Sequence, residues 1–142
     1  MTEKAKQPKV TGEISEVNVL AQLTTLGFVC SKPYGDNAPY DLIVDTGDKL
    51  VKLQIKTVLR GKRALRMSFM RSRINTKGSY RKPYAKSDVD FFAAYDTLKN
   101  KVFIISNEGQ GSFSLQETVP PKGRTSNMHM ADDYLLTIDS FN

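Results

Sequence analysis

The hydrophobic and polar positions of this chain change period several times, and each change marks an element. Val19, Leu20, Leu23 and Leu26 recur at helical spacing, which predicts a helix over Ile14 to Leu26, started at Thr11-Gly12-Glu13 and ended by Gly27. Glu16 falls on the same stripe, one turn before Leu20, where an acid either caps the helix start or serves a site. Phe28-Val29-Cys30 predicts a short strand, and Ser31 to Pro39 is a loop rich in turn formers. Tyr40 to Val44 is apolar and β-branched, Thr46-Gly47-Asp48 supplies turn chemistry, and Leu50 to Val58 alternates. That stretch predicts a hairpin. Successive strand side chains face opposite ways, so Val51, Leu53 and Ile55 share one face while Lys52, Gln54 and Lys56 share the other.

A second hairpin is predicted by Asp90 to Tyr95 and Lys101 to Ile105, joined across Asp96 to Asn100. Between the two hairpins lies a polar segment whose compact apolar run is Met67-Ser68-Phe69-Met70. Arg71 to Gly78 predicts an exposed, mobile loop. Tyr80 and Tyr84, interleaved with bases, either stack on a base or sugar or anchor that loop to the core. Tyr134 to Ile138 is a last apolar run. The order predicts an α/β or α+β domain with one central sheet, residues 11–142, behind a basic N-terminal arm, residues 1–10.

Composition narrows the class. A chain of 142 residues, 39% hydrophobic, is long enough to bury a core as one domain. Cys30 is its single cysteine, which excludes an intrachain disulfide and a thiolate zinc site. With neither a signal-like apolar stretch nor a membrane-length one, the expectation is a soluble, intracellular, cytoplasmic protein that does not engage a membrane. The net charge is +6, and its distribution says more than its size. Residues 49–86 hold thirteen Lys or Arg and no Asp or Glu, a one-sign segment that predicts a polyanionic partner such as nucleic acid.

The first hairpin holds the candidate chemistry. Metal-assisted phosphodiester hydrolysis needs oxygen ligands for a hard cation, a water held for attack and positive charge near the reacting phosphate. Asp41 offers a carboxylate, Gln54 a side-chain carbonyl, Lys56 a positive charge, and Glu16 a further carboxylate. On spacing alone an Asp capping a strand and a solvated Lys explain the pattern equally well. His129, the sole histidine, has no carboxylate pattern near it, and no glycine-rich phosphate loop occurs. Asp88, Asp90, Asp96 and the Asp132-Asp133 pair read as boundary residues.

Taken together, Gly12-Glu13-Ile14-Ser15-Glu16, Pro39-Tyr40-Asp41-Leu42-Ile43-Val44, Gln54-Ile55-Lys56-Thr57 and Asp88 to Tyr95 resemble the PD-(D/E)XK nuclease superfamily. The likeness is to the group that includes a group I intron-encoded homing endonuclease. It implies an αβββαβ-type core, a central mixed sheet flanked by helices, and cleavage of double-stranded DNA with Mg2+, for which Mn2+ substitutes, and no small-molecule cofactor. It also implies that Asp41, Gln54 and Glu16 are metal ligands and Lys56 the catalytic lysine. Gln54 departs from the superfamily's usual acid, as does the homing-endonuclease group. The resemblance further makes Arg60, Lys62, Arg63, Arg66, Arg71, Arg73, Lys77 and Arg81 a DNA-facing surface within a basic insertion around residues 59–87. One site per chain against two DNA strands implies a homo-oligomer, a dimer or tetramer. A Holliday-junction resolvase, a restriction-like nuclease of the same fold and a catalytically inactive DNA-binding protein remain open alternatives.

Overall fold

The computed structural model of the chain describes residues 2–142, apart from the side chains of residues 5 and 73. Helix α1 spans Pro8–Thr25. It begins three residues before Thr11, so the basic arm is partly helical. Pro8 at the first helical position brings a φ already suited to the helix and lacks only an N–H that would have had no helical partner. Gly27, at φ 95, turns the chain out of the helix in a conformation a side chain would strain.

Ten strands follow. These are β1 (Val29–Ser31), β2 (Leu42–Asp45), β3 (Leu50–Thr57), β4 (Leu59–Arg60) and β5 (Leu65–Ser68). Next come β6 (Met70–Asn75), β7 (Gly78–Pro83), β8 (Phe91–Asp96), β9 (Lys101–Ser106) and β10 (Ser112–Leu115). The central sheet has the order β1-β2-β3-β8-β9, with β3 and β8 parallel and the other pairs antiparallel. It is the expected mixed sheet. A second, three-stranded sheet runs β10-β5-β4, and β6 with β7 forms a two-stranded ribbon.

Alternation along β3 decides the layering. Leu53 and Ile55 face α1, where they meet Val19, Leu23, Leu42, Val44 and Ala93 in one core cluster. The opposite face of β8 and β9 packs Phe92, Ala94, Phe103 and Ile105 against Leu65, Met67 and Leu115 of the second sheet and against Phe69, just past the end of β5. Strand β8 is thus covered on both sides, which is why it reads as an unbroken apolar run. Phe69 and Phe92 stack with ring centroids 3.9 Å apart. The αβββαβ core implied by resemblance differs here in one respect. Among the described residues the crossover from β3 to its parallel partner β8 contains no helix, and β4 to β7 fill that place. Residues 60–87 carry no apolar stripe at helical period, whereas Leu65, Met67 and Phe69 alternate and bury as strand residues do.

Arg71 to Gly78 is likewise ribbon where a loop was expected. Both of its faces are polar, so period-2 patterning left no mark. The C-terminal third completes the core. Leu115, Ala131 and Phe141 are buried, Phe141 meets Phe28 and Phe91 edge-on, and the Leu136 N–H donates to Val102 O at 2.9 Å. No helix among the described residues is long and apolar enough to cross a membrane.

Candidate active site

The β2–β3 hairpin brings the predicted residues together. The backbone N–H of Asp41 donates to Leu53 O at 2.9 Å, and its carboxylate Oδ2 accepts from the Ile55 N–H at 2.9 Å. The acid at the head of one strand is therefore fixed against the middle of the next. Gln54 faces the same side, and its amide nitrogen reaches Pro39 O at 3.0 Å and Asp41 Oδ2 at 3.3 Å. Turned over, the same amide presents its carbonyl oxygen beside the Asp41 carboxylate. Lys56, two residues on, donates to Met70 O at 3.3 Å and lies 5.1 Å from the centroid of the Tyr84 ring.

Helix α1 supplies the fourth residue. Ser15, 1% exposed, donates to Thr11 O at 3.1 Å and so accepts from Thr57 Oγ1 at 2.6 Å. That contact pins the first turns of the helix to the end of β3. Glu16, the next residue, lines a cleft of about 190 Å3 with Lys32, Gly35, Asp36, Tyr40 and Asp41. Its carboxylate is ion-paired with Lys32 of the loop after β1.

The electrostatics follow from this packing. Burial pushes the Asp41 carboxyl above its ordinary range, the Ile55 N–H opposes that, and the Glu16 charge adds to it. Burial lowers the Lys56 ammonium, with Asp41 opposing and Arg81 assisting. Tyr84 is raised by burial and then by Asp41. Three acids at one cleft, Glu16, Asp36 and Asp41, the last of them desolvated, are an arrangement that a bound cation relieves. Among the described residues no group of three or more His, Cys, Asp or Glu gathers as a metal cluster. The predicted residues offer two carboxylates and one amide oxygen, and Asp36 adds a third carboxylate to the cleft lining; all are hard oxygen donors, a chemistry that fits Mg2+ rather than a soft or nitrogen-seeking metal. Glu16, Asp41 and Gln54 are the residues that can hold it.

The basic residues divide by environment. Arg66, Lys77 and Arg81 are exposed, and Arg81 donates to Ser68 Oγ at 2.8 Å. Lys62 and Arg63 border a cavity of about 890 Å3 between the β4–β5 turn and residues 116–128, with Lys99 and Lys122. Arg71 lies 3.7 Å from Asp88. The Arg73 side chain lies outside the described residues. Arg60 departs from the expectation of a DNA-facing residue, because its guanidinium grips Asp96 at 3.1 and 2.5 Å and Glu117 at 2.7 and 3.2 Å. Tyr84 is a core anchor, 6% exposed and edge-on to Phe92. His129 contacts Tyr134 OH at 2.9 Å and stacks on Phe113, a structural placement. Of the acids read as boundary residues, Asp90 accepts the Lys52 N–H at 2.8 Å and so locks the start of the parallel pair.

Lys32, the Ser15–Thr57 contact and the carbonyl of Met70 were not foreseen. Lys32 sits in a loop without period, and the other two depend on a sheet and a helix meeting.

A five-stranded mixed sheet backed by one helix, with an acid just ahead of one strand of a hairpin and a lysine on the next, is the frame of a restriction-type nuclease. The chain matches the PD-(D/E)XK endonuclease family over residues 6–137 and belongs to it. Its fold is shared by the bacterial homing endonuclease I-Ssp6803I, with a TM-score of 0.74 and 24% sequence identity over 91% of this chain and 88% of that one. No curated protein matches it significantly in sequence.

Proposed function

We propose that the chain is a Mg2+-dependent endodeoxyribonuclease that hydrolyses phosphodiester bonds in double-stranded DNA, homing-endonuclease-like, with Mn2+ able to substitute. The observation that carries this reading is the convergence of Asp41, Gln54 and Lys56 on one face of the hairpin, beside a cleft that Glu16 lines. Bound there, Mg2+ supplies Lewis acidity toward a phosphate oxygen. Asp41, Gln54 and Glu16 hold it. Lys56, held by Met70 O and the Tyr84 face, keeps its ammonium directed at the same region, where it orients the attacking water and stabilises charge developing on the phosphate.

The DNA-facing surface is the insertion, whose sequence carries Lys62, Arg63, Arg66, Arg71, Arg73, Lys77 and Arg81 and no Asp or Glu. A major groove admits a two-stranded ribbon, and the β6–β7 ribbon pairs Arg71 with Lys82 and Ser72 with Arg81. A homo-oligomer, dimer or tetramer, presents one site to each strand. The setting is the cytoplasm, and residues 11–142 act as one nuclease domain.

Nicking of supercoiled plasmid DNA with and without Mg2+, beside Asp41→Ala, tests the proposal. Mg2+-dependent nicking that the variant loses supports it. Intact DNA after incubation with a target the protein binds specifically moves the reading to a binding-only descendant.

A further inference from the structure

The cleft contains a cation of its own. Lys32 projects from the loop after β1 and pairs directly with Glu16, and both side chains line the same small cavity as Asp41. Of the two, Lys32 is largely solvent-exposed, at 64% of its side-chain surface, against 30% for Glu16. The carboxylate is therefore held in place by the helix while its partner sits on a flexible stem that water already surrounds. Among the described residues Glu16 is the only hydrogen-bonded or ion-paired partner of the ammonium, with the Asp41 charge acting on it from farther off, whereas Ser15 beside Glu16 is fixed to Thr57.

From this asymmetry we infer that Lys32 is a displaceable internal counter-ion, a positioning residue that occupies Glu16 until a divalent cation takes the carboxylate. The inference rests on the proposal that this cleft is the metal site. Two consequences follow from simple competition. Glu16 stays ordered toward the cleft when no cation is present, because its charge is always matched. Divalent-cation affinity is lowered by the need to dislodge Lys32, so the free protein binds metal more weakly than its oxygen donors alone would allow. Lys32, once released, stands at the rim of the cleft with its charge unmatched, next to where a DNA phosphate would lie. Metal and DNA then assist one another's binding.

The test is Mn2+ binding to the DNA-free protein, followed by calorimetry or by the electron paramagnetic resonance of free Mn2+. Lys32→Met removes the competitor at an exposed position where the fold is not at stake. It is expected to tighten Mn2+ binding by roughly three- to tenfold, the range for losing one solvent-screened pair together with its local repulsion. Lys32→Arg keeps the charge and is expected to stay near wild type. Lys52→Met removes a neighbouring charge that makes no contact with Glu16, its ammonium being bound to Ser87 O at 2.9 Å. It is expected to shift affinity less than Lys32→Met does. Equal tightening by Lys32→Met and Lys52→Met overturns the inference, since a general field effect would then suffice. Unchanged or weakened binding in Lys32→Met, with Asp41→Ala abolishing it, also overturns the inference while leaving the metal site intact. Mn2+ binding that Asp41→Ala does not affect removes the metal site itself, and the inference with it.

Discussion

Removing Arg60 separates a structural arginine from a DNA-binding one. Its guanidinium makes two bonds to Asp96, whose side chain is 2% exposed, and two to Glu117. Arg60→Ala strands a buried carboxylate, a change that costs about 3–5 kcal/mol where the pair is fully enclosed. Arg60 is itself 27% exposed, and Asp96 keeps the Leu98 N–H at 3.1 Å, so water and one donor offset part of that. A loss of about 2–3 kcal/mol remains. For 142 residues the unfolding entropy is about 0.3 kcal/mol/K, so each kcal/mol moves Tm by about 3 °C, and the expected fall is about 6–10 °C. Calorimetry and DNA binding against salt are the paired assays. Arg66→Ala, at an exposed position, should leave Tm alone and flatten the slope of log affinity on log salt by about 0.9. Arg60→Ala should do the reverse. The reasoning is refuted by an Arg60→Ala protein with wild-type Tm and a slope reduced by about 0.9.

The same network sets an acid limb. Arg60 first, and then Lys99, hold the Glu117 carboxyl down at about 2, so its stabilisation is present above the ordinary carboxylate range and is lost as pH falls from about 4.5 toward about 2. Arg60→Ala should flatten that limb in a pH series of melting curves. Asp41→Ala should abolish nicking while leaving duplex binding intact or stronger, because a repulsive charge goes with the ligand, and gel shifts beside a nicking assay would check it. Burial lowers Lys56, so its positive charge, and with it nicking, should fall on the alkaline side below 10.5, and Lys56→Arg should carry any residual activity to higher pH in a rate–pH profile. Phe92→Ala removes a buried ring stacked on Phe69 and should lower stability by about 3–5 kcal/mol in denaturant titration.

Where hydrophobic periodicity governed, sequence was sufficient. The stripe of Val19 and Leu23, the hairpin around Gly47 and the runs of β8 and β9 all specify elements that bury one or both faces. Asp41, Gln54 and Lys56 were legible because a single hairpin sets their relation within sixteen residues, Asp41 to Lys56 inclusive. The ribbon was not, since Arg71 to Lys82 buries neither face and leaves no period to read. Arg60 looked like its basic neighbours until the chain folded Asp96 and Glu117 onto it, positions separated from it by 36 and 57 residues. Lys32 depended on a loop closing over a helix, a contact that spacing does not encode.

The parallel pairing of β3 with β8 also orders the folding of the chain. Asp41, Gln54 and Lys56 need only a short turn to meet, and hairpins of that kind close in microseconds. Leu53 must find Phe91 across the whole insertion, so the central sheet pays a larger loop-closure entropy before β8 and β9 can join. Until that happens, the second hairpin remains an apolar segment with unpaired edges, prone to join another chain. A shortened or prefolded insertion should therefore speed assembly and suppress aggregation during refolding. The insertion's length is thus a kinetic burden on the sheet that holds Asp41, Gln54 and Lys56 together.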